Sequence, residues 1–274
     1  MKINDYLYLV GAEQFGLSHP LDCNCYLLDG GGEKVLIDTG TGMGASDILA
    51  NMSIHGFQPQ DLTHILITHV HLGHWGASTE LREATGAQVY APELHHRLME
   101  KFEEDYTIVQ NLKFGRYPAG YQPTACVPDE TFGDGDSIQI GDIALKTVLV
   151  QGHTRDSTCF YFTRDDQRGL FSGDVVFYGG ALGLINADGC SLSDYRRDIG
   201  KITQLKVDML LPGHGVFILR NGYKHVDRAA RKLADFVMPE TFFETNEFSW
   251  DKEYFDTMLS ENPLAEEDSP SGSN

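Results

Sequence analysis

The sequence predicts an α/β protein, and three observations carry that expectation. Short apolar runs with strand character recur in both halves of the chain. Segments of helical character stand between them. The 274 residues, 41% of them hydrophobic, supply the core of one large domain. Two packed sheets with helices outside, a four-layer αββα sandwich, accommodate this order, and so does one mixed sheet. No repeat of the length used by helical arrays is present.

In chain order, strands are expected at Tyr6–Val10, Cys25–Leu28 and Val35–Ile37, with Gly30-Gly31-Gly32 turning the chain between the last two. Asp38-Thr39-Gly40-Thr41-Gly42 closes the third strand. A helix follows over Ala45–His55, with Ser46 and Asp47 in its first turn. Leu62–Thr68 reads as a buried strand, Trp75–Thr85 as a helix stopped by Gly86, and Val89–Ala91 as a short strand. Pro92 reads as the opening of a further helix into Glu104. Residues 105–128 have no period and many aromatic and turn residues. A connection of that length reads as a lid or substrate loop. The second block of strands is Ser137–Ile140, Ile143–Val150, Thr158–Phe162 and Gly169–Ser172. A helix from Ser191 to about Leu205, a strand Asp208–Leu211 and a last main helix near Tyr223–Val237 complete it. The expected organisation is one domain over residues 1–240 and an extension over 241–274, whose polar, acidic end has the composition of a flexible terminus.

Composition narrows the function. A net charge of −19 disfavours nucleic acid, because an acidic surface repels a polyphosphate. A small neutral or cationic substrate fits better. The opening MKINDYLYLVG lacks the basic and apolar regions of a secretory leader, and no apolar run approaches the roughly 20 residues of a membrane span. The five cysteines are odd in number and scattered, which speaks against a disulfide framework. Cys23 and Cys25 read as two small core thiols in preference to a metal or redox pair. A reducing cytoplasm is the expected location.

Residues suited to metal binding recur at the ends of the expected strands. THVHLGHWGA holds His69, His71 and His74. His69 and His71 alternate with Val70, so on extended backbone both imidazoles project to one side. His74 lies across a turn and aims at a neighbouring position. His153 follows a strand in GHT, Asp174 in SGD and His214 in PGHG, and Asp38 also ends a strand. Imidazole plus carboxylate is a donor set that borderline metals such as zinc favour. His19, His55, His64, His95, His96 and His225 lack such a setting and read as surface or core residues.

Taken together, IDTG, THVHLGH, GHT, SGD and LPGHG in this order resemble the metallo-β-lactamase superfamily over roughly residues 20–235. The resemblance implies an αββα sandwich with a metal site along one edge between the sheets. It implies a first metal on His69, His71 and His153, with Asp174 as the bridging carboxylate. A second metal would use His74 and His214 with Asp174. Asp38 would support the site by orienting ligands. The sequence departs from the family at Gly73, where the HxHxDH pattern has an aspartate that binds the second metal and the attacking water. The first site keeps its ligands and the second is expected to be weaker. Asp22 is a candidate to fill the gap.

The resemblance implies a hydrolase using metal-activated water on a small ester, thioester, lactone, lactam or phosphodiester, with one or two divalent ions. Zinc leads, with manganese or iron as alternatives. Asp174, Asp38 and Tyr178, the last as a hydrogen-bond donor to substrate, are the expected catalytic side chains. Two other readings stand beside it: a sensor with a degenerate second site, and a mononuclear iron dioxygenase similar to persulfide dioxygenases. The expected partner is a small-molecule substrate, with neither nucleic acid nor membrane. A homodimer is a further expectation, resting on the aromatic residues Phe242, Phe243, Phe248, Trp250, Tyr254 and Phe255, which pack back on the sandwich in the other reading.

Overall fold

The computed structural model describes residues 1–101, 117–118 and 120–245. Its first sheet has six strands: β1 (Leu7–Gly11), β2 (Cys25–Asp29), β3 (Lys34–Ile37), β4 (His64–Leu66), β5 (Gln88–Pro92) and β6 (Glu130–Phe132), adjacent in that order. β1 to β3 pair antiparallel, and β3 to β6 pair parallel. The second sheet has the order β11-β10-β9-β8-β7, from β7 (Ser137–Ile140), β8 (Ile143–Leu149), β9 (Thr158–Arg164), β10 (Gln167–Gly173) and β11 (Met209–Pro212). Only its β10–β11 pair is parallel.

Alternation of side chains along the strands builds three apolar layers. Leu7, Leu9, Tyr26, Leu28, Val35 and Ile37 face inward and meet Leu145, Phe160, Phe162, Phe171, Met209 and Leu211 of the other sheet. The residues between them point the other way. Tyr8, Val10, Leu27 and Leu36 pack under α1 (Ala45–Ile54) and α3 (Ser78–Thr85). Cys159, Leu170 and Leu210 pack under α5 (Leu192–Asp198), α6 (Gly200–Thr203) and α7 (Gly222–Ala234). The period of two thus sends each strand's apolar residues to two different layers, and the chain is the αββα sandwich. α7 buries Gly222, Val226, Ala229 and Leu233, one helical face. Among the described residues no helix is long and apolar enough to cross a membrane.

Several boundaries differ from the sequence expectation for identifiable reasons. The helix read as Trp75–Thr85 starts earlier and is broken into α2 (Leu72–Trp75) and α3. The carbonyl of His74, which a continuous helix would use, instead accepts from Thr39 N at 2.7 Å and Thr39 Oγ1 at 3.1 Å. The Ser191–Leu205 helix is likewise divided, into α5 and α6, at Ile199. Pro92 ends β5 instead of opening a helix, and α4 runs over Arg97–Lys101. β6 was not expected: three residues are too few to show a period. The proposed lid falls mostly outside the described residues. Of its described part, Tyr117 stacks on Tyr121 at 5.2 Å, and Tyr121 donates its hydroxyl hydrogen to the Thr41 carbonyl. Both rings pack against the core beneath α1 and α3. The extension is described only to residue 245, where α8 (Phe242–Thr245) lies.

This topology puts the candidate ligands on one edge. β3 and β4 run parallel, as do β10 and β11, and β8 runs in the direction of β10 because each is antiparallel to β9. Asp38, the His69–His74 turn, His153, Asp174 and His214 all follow carboxyl ends of these strands.

Candidate metal centre

Four side chains converge first. His71 Nδ1 lies 3.0 Å from His69 Nε2 and 2.8 Å from His153 Nε2, and His153 Nε2 lies 3.4 Å from Asp174 Oδ2. Each of these residues is buried or nearly so. Three imidazole nitrogens facing one another at this range cannot all carry protons. Burial, followed by repulsion from neighbouring imidazoles, holds His69 and His71 well below the ordinary histidine range, and burial also lowers His153. Neutral imidazoles with lone pairs turned toward a carboxylate form a cation site. Burial would raise Asp174, but His214, His74 and His153 outweigh it and hold the carboxylate ionised. Asp174 Oδ1 is buried and has no hydrogen-bond partner among the described residues, so its charge is only partly compensated. The donor set fits a divalent ion.

A second group shares Asp174. His74 Nε2 and His214 Nε2 approach its Oδ2 at 3.5 Å and 3.7 Å. Burial would lower both imidazoles. The carboxylates Asp174 and Asp38 oppose it at His74, and Asp174 and Glu13 oppose it at His214, so both are raised. The groove between them requires Gly213, because a Cβ there would stand 2.5 Å from Asp174 Oδ1 and 2.8 Å from His74 Cε1. Gly73 contributes no donor. Its backbone lies outside the left-handed region, and a Cβ would meet only the Leu21 carbonyl, at 3.6 Å. Neither conformation nor space demands glycine at this position.

Backbone and side-chain contacts orient the imidazoles. Asp38, with φ of 59°, sits in a conformation non-glycine residues seldom adopt. The turn points its carboxylate at three donors: Thr68 N and Thr68 Oγ1, each at 2.8 Å, and His74 Nδ1 at 2.8 Å. That contact fixes the ring of His74 with Nε2 toward Asp174. Thr68 Oγ1 also meets His69 Nδ1 at 3.0 Å, His153 Nδ1 meets the Gly183 carbonyl at 2.5 Å, and His214 Nδ1 faces Glu13 at 3.4 Å. Asp156 Oδ2 accepts from Val70 N at 2.8 Å, between His69 and His71. Thr68, Asp156, Glu13 and Gly183 were not singled out from sequence. Thr68 stands inside THVHLGH and Asp156 two residues past GHT, whereas Glu13 and Gly183 carry no local signal.

The structure therefore gathers His69, His71, His153, Asp174, His74 and His214, with Asp38 behind them. It does not bring Tyr178 to the cluster. Tyr178 is 61% exposed and its ring lies 4.9 Å from His225 of α7, because the turn Tyr178–Gly180 bends away from β10 onto that helix. Asp22 does not fill the gap at Gly73 either. Its Oδ1 accepts from Thr41 N at 2.7 Å and Thr41 Oγ1 at 2.6 Å, and the carboxylate is packed against Gly40 and Gly44. Cys23 is the nearer neighbour, with its sulfur within 4.8 Å of ligand atoms of Asp38 and His74. It is fully buried, 3.9 Å from Cys25 Sγ, and burial keeps its thiol protonated. Because Asp38 already receives three donors, this trio supports His74 and is a poor ion site.

The two-sheet sandwich thus carries, at its strand ends, two histidine clusters that share one aspartate. Residues 19–214 match the family model of the Metallo-beta-lactamase superfamily, and the chain belongs to that family as one of its enzymes. It is similar to the acyl-coenzyme A thioesterase MBLAC2 of Homo sapiens, 26% identical over 238 residues, covering 78% of this chain and 83% of that protein. It is also similar to the atrochrysone carboxyl ACP thioesterase of Aspergillus fumigatus, 25% identical over 214 residues. That match covers 76% of this chain but spans only 56% of the relative's length. Among solved structures, a metallo-β-lactamase of Cronobacter sakazakii with a HARLDQ motif superposes with a TM-score of 0.67 at 22% identity. It covers 85% of this chain and 92% of that one, and the likeness extends to the fold.

Proposed function

We propose that the chain hydrolyses a small acyl thioester or ester at a zinc centre held by His69, His71, His153 and Asp174. A second, weaker ion would sit on His74, His214 and Asp174. The observation that carries this reading is the convergence of His69 Nε2, His71 Nδ1 and His153 Nε2 within 3.0 Å contacts beside an ionised, partly unpartnered Asp174. A bound divalent ion would supply a Lewis acid for the scissile carbonyl and a hydroxide near neutral pH. Asp38, Thr68 and the Gly183 carbonyl hold the rings so that little reorganisation is left to binding. Two of the relatives are named as thioesterases, which supports the choice of acyl group over lactam or phosphodiester. The strongly acidic chain is a further argument against phosphodiesters in nucleic acid.

The test is metal analysis of protein purified without added metal, followed by hydrolysis assays with acyl-coenzyme A and 4-nitrophenyl esters. One to two zinc equivalents and metal-dependent hydrolysis are expected. His71→Ala should lose the first-site ion and at least about a hundredfold in rate. One equivalent of iron with oxygen uptake on a thiol substrate would replace the hydrolase by an oxygenase. Full activity in His71→Ala would remove the site assignment.

A further inference from the structure

The segment that follows α7 returns to the metal edge. Leu182 N donates to the Glu240 carbonyl at 3.2 Å, Phe242 N to the Leu182 carbonyl at 2.8 Å, and Thr241 Oγ1 to the Leu184 carbonyl at 2.7 Å. Lys232 pairs with Glu240 at 2.7 Å. The strip of chain that holds this segment is the one that gives the Gly183 carbonyl to His153. Two rings are thereby set against the ligand histidines. Phe243 lies near-parallel to His153 at 6.3 Å and edge-on to His214 at 6.4 Å, and Phe242 lies near-parallel to His214 at 6.3 Å. Phe177, three residues past Asp174 and fully buried, backs Phe242 in a 4.1 Å stack. Both rings are half-buried.

His153 and His214 each turn Nε2 to Asp174. Phe243 and Phe242 therefore stand beside the two imidazoles that face this carboxylate. The two aromatic faces present no hydrogen-bond donor or acceptor, so they reward only apolar surface. Both residues lie beyond residues 19–214, the part matched by the family model.

We propose that Phe242 and Phe243 are specificity-determining residues: they form the wall against which the acyl group of the substrate lies, and they select an apolar acyl chain of several carbons. This rests on the hydrolase reading above for the word substrate. The wall itself rests on the ring geometry.

The experiment uses the full-length zinc-loaded protein and two series of ligands. Calorimetry measures binding of alkyl hydroxamates from acetyl to decanoyl, and steady-state assays measure kcat/KM for 4-nitrophenyl esters of the same lengths. A methylene packed against one wall, about half enclosed, should improve affinity about twofold. Wild type is expected to show that slope over several carbons. Phe243→Ala should flatten it, and so should Phe243→Gln, which keeps the length but not the apolar face and so reports if the alanine variant folds poorly. Zinc content of each variant is measured alongside. Affinity independent of chain length in wild type, or an unchanged slope in zinc-loaded variants, would overturn the wall. Hydrolysis without length preference would overturn the wall and leave the hydrolase intact. A hydroxamate slope that the variants abolish, with no ester or thioester hydrolysed, would uphold the wall and sink the hydrolase.

Discussion

At the scale of single residues, the site turns on what Gly73 omits. The space a side chain would occupy is open apart from the Leu21 carbonyl, and the backbone there is ordinary helix. Gly73→Asp should therefore fold normally and add a carboxylate beside His74. Zinc titration followed by calorimetry should show the second ion bound at least about tenfold tighter, the scale on which metal-site partners act. No change in the second affinity would mean that the ion, if bound, uses other donors. Asp156 gives a separate test of the support beneath the first site. Burial pushes its carboxyl up to about 7, against roughly 4 in an unfolded chain. The folded state then holds the proton over a range where the unfolded state has lost it. This contribution is complete below about pH 4 and is lost as pH rises through about 7. The stability difference between wild type and Asp156→Asn, measured by urea unfolding of metal-free protein, should shrink across that window by at most about 4 kcal/mol. A difference independent of pH would show that Asp156 is ionised throughout.

At the scale of elements, α5 reaches the site through one side chain. Tyr195 is buried, and its hydroxyl donates to the carbonyls of Asp174 and Val175 at 3.2 Å each. Its ring leaves no room for a side chain at Gly152, next to His153. One helix thus braces the turns that carry two candidate ligands. Tyr195→Phe keeps the ring and removes the donor. It should cost about 1 kcal/mol by thermal or urea unfolding and weaken zinc several-fold. Unaltered zinc affinity would confine Tyr195 to packing. Most elements were legible because their apolar residues keep a period: β8 buries Ile143, Leu145 and Thr147 in alternation, and α7 buries one face. The helix break after Trp75 was not legible, since it depends on Thr39, a distant residue in sequence, taking the His74 carbonyl.

At the scale of the whole molecule, the two sheets share one interior. Phe160, Phe162 and Phe171 from the second sheet meet Tyr26 and Leu28 from the first, and Phe171 lies 5.5 Å from Tyr26. Because the ligands come from both sheets, that contact also holds the site together. Phe160→Ala should cost about 3–5 kcal/mol. Far-UV and near-UV dichroism should lose their signals in one coincident transition. Separate transitions would show that the sheets fold independently and that the metal edge is assembled only afterwards.

The sequence by itself determined the layers and the edge. Alternation fixes which way each strand residue points, and histidines or aspartates placed just past strand ends must lie on the edge where parallel strands finish. Tertiary structure alone decided what stands around them. Tyr178, close to Asp174 in sequence, turns onto α7, while Phe243, far along the chain, is brought against His153. Asp22 goes to Thr41 and leaves the gap at Gly73 unfilled. A local period encodes direction relative to a residue's own strand or helix. It carries no information about which remote segment the packing of two sheets will bring to that place.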